Sequence, residues 1–219
     1  MKNALFTALT GFLVAILILT ISIGLPIYVR PFYYYQVDAL DIPAYSGADR
    51  ETIIEAYNEL MDYLTIPGNE FKTGDFKYSE SGKAHFVDCK VLFDLNLYAF
   101  ITAVLGLAIL FILNKSEVFE LTRPFGKHVL FSSGIFTLGG FAIIGGLCAI
   151  NFDVAFTVFH KIFFPGKSNW MFSWWEDEII RILPQDFFMN CAILILISII
   201  TLSTLAILWG GLNKKTNCK

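Results

Sequence analysis

The sequence predicts an all-α membrane protein: four transmembrane helices carrying a small, mostly helical extracellular cap made of two outer loops. Three observations carry this. Of 219 residues, 56% are hydrophobic and only 16% charged, against about 45–50% and about 25% in soluble domains. Four segments are each long and apolar enough for a bilayer crossing, which takes about 20 residues at about 1.5 Å of rise. Lysine and arginine also gather in the short connections between them. The mean hydropathy of +0.62 agrees. The net charge of −3 offers no basic field for nucleic acid.

The four segments are residues 4–29, 91–113, 129–150 and 189–212. In the first, Ser22-Ile23-Gly24 looks like a small-x-small cleavage site. The apolar run before it exceeds the about 7–15 residues of a signal-peptide core, so the segment reads as a retained span. Residues 30–90 and 151–188 form two long loops of 99 residues together, whereas 1–3, 114–128 and 213–219 total 25. The short set holds Lys2, Lys115, Arg123, Lys127, Lys214, Lys215 and Lys219, seven of the 16 basic residues. Basic residues favour short cytoplasmic loops. Both termini are therefore predicted inside and both long loops outside, on a single membrane domain covering 1–219. Asp94 is the one charge within a span, about a turn into the second. Lys90 lies four residues earlier, placed for a local ion pair at the water boundary. With no ionisable residue at mid-depth, the chain does not read as a proton-coupled pump.

The first outer loop contains a helix. In residues 49–64, Ile53, Tyr57, Leu60, Met61 and Leu64 recur at helical spacing. Asp49 or Ser46 can cap its start and Pro67-Gly68 ends it. Its apolar face needs cover, from lipid headgroups or from the other outer loop. The preceding Pro31-Phe32-Tyr33-Tyr34-Tyr35 reads as an interfacial aromatic belt. In the second loop, 154–164 reads as a short helix broken by Pro165-Gly166. Trp170, Phe172, Trp174 and Trp175 follow, and 176–183 is a second short helical candidate ended by Pro184. A loop this aromatic is expected to lie on the membrane.

Chemistry-bearing residues are few. Cys89, Cys148, Cys191 and Cys218 show neither CxxC nor metal-ligand spacing. They read as buried free thiols, although three lie near outer helix ends, where a disulfide is open. With three histidines, a multi-His metal site is not expected, and no metal or other cofactor is implied. His128 sits beside Lys127 on the cytoplasmic side. His85 and His160 fall in the outer loops at similar membrane depth, and imidazole is the side chain suited to proton transfer near neutral pH. Each taken alone is equally an ordinary interfacial residue. Asp88, three residues after His85, can orient its ring on a helix. Asp177 can reach either ring or serve as the N-terminal charge of a helix over 177–183. The chain carries no GxSxG, Walker A, HExxH or GxGxxG motif. Cys89 remains a conceivable but disfavoured nucleophile.

These residues resemble the lipoprotein intramolecular transacylase family, Lit, of low-GC Gram-positive bacteria. The likeness is carried by Glu80, His85, Asp88, Lys90 and Leu92, then by Phe159-His160, Phe163-Phe164, Trp170, Asp177, Ile179-Ile180, Pro184 and Phe187-Phe188. The chain departs at Cys89, where an aliphatic residue is expected, and at Gly82, where a second acid is common. The resemblance implies a cell-membrane acyltransferase that acts on lipoproteins bearing an S-diacylglyceryl N-terminal cysteine. It moves the sn-2 acyl chain to the α-amino group and yields the lyso form. His85 and His160 would share the roles of general base and acid, in an order left open, with no covalent enzyme intermediate. Glu80, Asp88 and Asp177 would support them. Lys83 and Lys90 would stabilise an oxyanion or bind the substrate peptide, or else be snorkelling cations. Phe159, Phe163, Phe164, Trp170 and Trp175 would bind substrate and exclude water. Two rival readings stand beside this one: a non-enzymatic membrane binding or assembly subunit, and a membrane lipase that hydrolyses the ester.

Overall fold

The computed structural model describes residues 1–212, apart from the side chains of Phe125, Ile143, Ile144, Leu147, Cys148 and Ala149. Cys218, Lys214, Lys215, Lys219 and the Cys148 side chain, all named above, lie outside the described residues. The chain is all-helical, and no strand occurs among the described residues. Its α-helices are α1 (Lys2–Tyr28), α2 (Arg30–Ala39), α3 (Ile42–Ser46), α4 (Arg50–Thr65), α5 (Glu80–Lys115), α6 (Val129–Ile150), α7 (Phe152–Phe163) and α8 (Gln185–Leu212). Three of them, α1, α5 and α8, are long and apolar enough to cross a membrane. In the 22-residue α6, the described apolar stretch is Val129–Ala142, shorter than those three.

The chain divides into two compact units. The first takes Met1–Ile23, Asn96–Gly146 and, as far as Leu212, the segment from Ile195, so it is built from lengths of α1, α5, α6 and α8. Within it, α6 and α8 approach at glycine. A Cβ on Gly134 would sit 2.6 Å from the Ser203 carbonyl oxygen and 2.7 Å from Ile207 Cγ1. A Cβ on Gly210 would strike the backbone nitrogen of Phe131. Small residues allow such backbone contact where lipid supplies no hydrophobic drive. Thr7 Oγ1 accepts from the Thr122 backbone nitrogen at 2.8 Å, which ties the α5–α6 connection to α1.

The second unit comprises Gly24–Leu95 and Leu147–Leu194 and contains both long loops. Its core rests on α4. Asp49 caps that helix, its carboxylate accepting from the Thr52 backbone nitrogen at 2.9 Å, and Gly68 turns the chain away at φ 85°. The sequence-predicted face is buried: Ile53, Ala56, Tyr57, Leu60, Met61 and Leu64. It packs with Tyr33, Val37 and Ile42 from the first loop and Ile179 and Ile182 from the second. The cover for α4 is thus protein.

That packing corrects the belt reading of residues 31–35. They lie in α2, and Tyr33 is fully buried. Its ring stacks on Tyr57 with centroids 3.6 Å apart, and its hydroxyl donates to the Ile182 carbonyl at 2.7 Å. Tyr35, on another face, is 69% exposed. Lys90 also departs from expectation. It forms no ion pair with Asp94; its Nζ donates to the Tyr63 carbonyl at 2.5 Å and lies 5.1 Å from that ring's centroid. The helix predicted at 154–164 is α7, capped by Asn151 accepting from the Val154 nitrogen at 3.1 Å. The region predicted helical at 176–183 forms a 3₁₀ turn, Glu178–Ile182.

Candidate functional site

The site lies wholly within the second unit, where the first turns of α5 meet α7 and the segment that follows it. About 20 residues suffice for a crossing, and α5 has 36. Its apolar stretch begins at Val91, so Glu80–Lys90 precedes the span. Ser79 starts this helix: its Oγ accepts from the Gly82 nitrogen at 3.0 Å. Ser79 is held in turn by Asp177. One oxygen of that buried carboxylate accepts from the Ser79 nitrogen at 2.8 Å and from its hydroxyl at 2.7 Å. The other accepts from the Ser173 nitrogen at 3.0 Å. Gly82 makes this possible, because a Cβ there would run into Asp177 and come within 3.0 Å of the Phe172 ring.

On this support His85 and His160 face one another, buried to 5% and 6% exposure, with ring centroids 5.6 Å apart. Phe164 packs beside both rings, 4.9 Å from His85 and 5.7 Å from His160. Phe172 closes on His85 at 5.5 Å. Trp170 stacks on His160 at 4.8 Å, and Phe156 approaches it to 4.2 Å. The His160 Nδ1 lies 2.7 Å from the Phe156 carbonyl oxygen. A carbonyl can only accept, so Nδ1 carries the proton and Nε2 the lone pair. The His85 Nε2 lies 3.4 Å from the Cys89 Sγ, while its Nδ1 is buried without a partner.

Burial pushes the His85 pKa down to about 4, and neighbouring His160 adds to the fall. Burial lowers His160 as well, against a small upward pull from its bond to the Phe156 carbonyl. Both rings are therefore neutral at pH 7. Burial holds the Cys89 thiol up at about 12, with the Asp88 charge in the same direction, so it remains S–H at neutral pH.

The family model for the lipoprotein intramolecular transacylase Lit matches residues 8–188. The chain belongs to the Lit family. Among solved structures it is similar to the membrane integral lipoprotein intramolecular transacylase Lit from Bacillus cereus. The two are 27% identical, with 94% of this chain and 92% of that one covered and a TM-score of 0.84. The H85R variant of the Bacillus cereus protein matches at 26% identity over 96% and 91% of the two chains, TM-score 0.79. The H85A variant matches at 26% over 96% and 92%, TM-score 0.79. No curated protein matches the chain. As a Lit-family member, the protein is a membrane-integral acyltransferase.

Other residues named from sequence in this Lit-family chain sit variously about the pair. Asp88 makes no hydrogen bond to His85. Its oxygens accept from Lys167 Nζ at 2.5 Å and from Asn169 Nδ2 at 2.9 Å. Burial alone would raise its pKa, but those two bonds together with the Lys167 charge hold the carboxyl below its ordinary range. Asp177 bonds to Ser79 and Ser173 and to neither ring, so its place is in the scaffold. Glu80 is exposed in the first turn of α5. Lys83 lies 6.0 Å from the Phe71 centroid, and Lys90 is engaged with Tyr63. Phe159 and Phe163 pack on each other at 4.6 Å, both about half exposed. Trp175 is 80% exposed and forms no part of the aromatic wall. The wall instead includes Phe156 and Phe172, which sequence reasoning did not assign. Helical spacing marks Phe156, four residues before His160. Nothing local marks Lys167 or Asn169 as partners of Asp88, 79 and 81 positions away.

Proposed function

We propose that this protein transfers the sn-2 acyl chain of an S-diacylglyceryl lipoprotein to the α-amino group of its N-terminal cysteine, giving the lyso form. The observation that carries this reading is the pair of buried, neutral histidines packed together in one aromatic cluster. The two rings offer complementary functions. His160, with Nδ1 committed to the Phe156 carbonyl, presents the lone pair of Nε2 as a base. The Cys89 thiol, held as S–H, donates to His85 Nε2, which leaves the His85 proton on the otherwise unpartnered Nδ1.

His160 accepts a proton as the amine attacks the ester carbonyl. The His85 Nδ1–H stabilises the oxygen on which charge develops. As the glyceryl C–O bond breaks, the imidazolium of His160 returns its proton to the departing oxygen. The proton lost by nitrogen thus ends on the alcohol, and an ester becomes an amide with no covalent enzyme intermediate. Donor and acceptor reside on one molecule, so orientation contributes up to about 7–11 kcal/mol. For a substrate anchored by lipid, the fitting topology has four spans including α6, termini in the cytoplasm, and residues 30–90 and 151–188 outside.

The test uses purified protein and an S-diacylglyceryl lipopeptide in detergent, with products read by mass spectrometry. Conversion to the N-acyl, S-monoacylglyceryl product without added components is expected. His85→Ala and His160→Ala should each lower the rate by about 10²-fold or more. Full activity in either variant refutes the paired mechanism. Release of free fatty acid in place of N-acylation makes the protein a lipase, and no turnover at all leaves the binding-subunit reading.

A further inference from the structure

We propose that Asn169 binds the α-amino group of the substrate cysteine, its side-chain carbonyl oxygen accepting one of the nitrogen's N–H bonds. This rests on the transacylase reading above. The Asp88 carboxylate accepts from Lys167 on one oxygen and from Asn169 Nδ2 on the other. A carboxylate of this kind accepts only, so the NH₂ end of Asn169 must face it. The amide cannot flip, and its carbonyl oxygen is fixed at the opposite end. That oxygen is buried and has no hydrogen-bond partner in the protein. A buried acceptor left unpaired is unfavourable, and it calls for a donor from outside the chain.

The position suits a substrate donor. Asn169 is joined to Trp170, which stacks on His160. It is hydrogen-bonded to Asp88, three residues from His85 on α5. Asn169 is thereby one residue from the ring stacked on His160 and one hydrogen bond from the turn of α5 that carries His85. Among the described residues of the second unit, the buried polar side-chain atoms without partners are His85 Nδ1 and Asn169 Oδ1. One is a ring nitrogen free to meet an oxygen, the other an oxygen free to meet an N–H. An ester carbonyl and an attacking amine supply that complement. An amine directs its lone pair at the carbonyl carbon, one N–H at His160 Nε2 and a second at Asn169 Oδ1. The asparagine would aim the nitrogen while exchanging no proton.

The test compares two non-hydrolysable ether-linked lipopeptides as competitive inhibitors, one with a free α-amine and one with an N,N-dimethylamine. The dimethyl form keeps its charge when protonated but has a single N–H. Wild-type enzyme is expected to prefer the free amine by about tenfold or more in inhibition constant. Asn169→Leu, of similar size and without an acceptor, should lose most of that preference. A wild-type preference near unity overturns the proposal whatever the variants do, and so does a preference that Asn169→Leu leaves intact. Wild-type conversion of the ester lipopeptide is measured alongside. If conversion occurs and the preference is absent, only the assignment of Asn169 fails. If conversion is absent, the transacylase reading fails and takes the assignment with it.

Discussion

Asp177 offers the sharpest test of how the site is held. The residue is 3% exposed, and its carboxylate accepts three hydrogen bonds, from the Ser79 nitrogen and hydroxyl and from the Ser173 nitrogen. Asp177→Asn keeps the shape and can keep an oxygen toward Ser79. It then turns an NH₂ toward the Ser173 N–H, so one bond is lost and a donor faces a donor. An unsatisfied buried donor costs about 1–3 kcal/mol. In a chain of this size, 1 kcal/mol shifts the melting temperature by about 2–4 °C, so the middle of that range, about 2 kcal/mol, gives an expected fall of about 4–8 °C. Asp177→Ala strips the acceptor from two backbone N–H groups as well as a hydroxyl and leaves a void. A cost of about 4 kcal/mol and a fall of about 8–16 °C follow by the same rules. Intrinsic tryptophan fluorescence during thermal unfolding in detergent measures both. Because Ser79 begins the helix that carries His85, transfer should also slow in each variant below its melting temperature. Unchanged melting in Asp177→Asn, or equal damage by both substitutions, would refute this account of the support.

Three further outcomes are expected. A histidine whose folded pKa lies below its ordinary value gives stability that is complete above about pH 6.5 and fades as pH falls toward the folded value. With His85 lowered to about 4, wild-type melting should drop between pH 7 and pH 5 by more than that of His85→Gln, and parallel curves would contradict the assignment. Since the Cys89 thiol stays protonated, Cys89→Ala should retain activity to within about tenfold, and iodoacetamide should not inactivate the enzyme. Trp170→Ala, which removes the ring stacked on His160, should slow transfer by about tenfold or more, whereas Trp175→Ala should leave the rate constant for bound substrate nearly unchanged.

How much of this was legible in the sequence depended on range. The α4 face was readable because five apolar residues repeat at helical period and Asp49 caps them, and both signals are local. The aromatic run at 31–35 was misread for an equally physical reason: a belt and a core use the same residues. Only the arrival of Tyr57 and the Ile182 carbonyl, 24 and 149 positions away, decides that Tyr33 is interior. The histidines stood out as two titratable groups in otherwise aromatic surroundings. Their supporting acids did not sort themselves, because Asp88 and Asp177 differ only in what lies opposite. One faces Lys167 and Asn169, the other two serines. Gly82 shows the same limit. An absent side chain reads as a gap in a motif until Asp177 is seen to occupy the space.

The composition of the pocket bears on why a transferase would be built this way. A lipase and a transacylase need the same base and the same oxyanion donor; they differ in which nucleophile reaches the carbonyl. Rings from Phe156, Phe164, Trp170 and Phe172 surround the two imidazoles, and apolar walls disfavour a free water beside them. An amine carried on the substrate enters with the ester, at an effective concentration that orientation raises by many orders of magnitude. Neutral imidazoles suit this arrangement better than charged ones. A cationic ring would repel an ammonium and draw water into the pocket, whereas the burial that keeps His85 and His160 unprotonated leaves one lone pair and one N–H to work with. On the proposed reading, the burial that depresses both pKa values also favours transfer over hydrolysis. Opening the wall, as Trp170→Ala would, should then raise the share of free fatty acid among the products while total turnover falls.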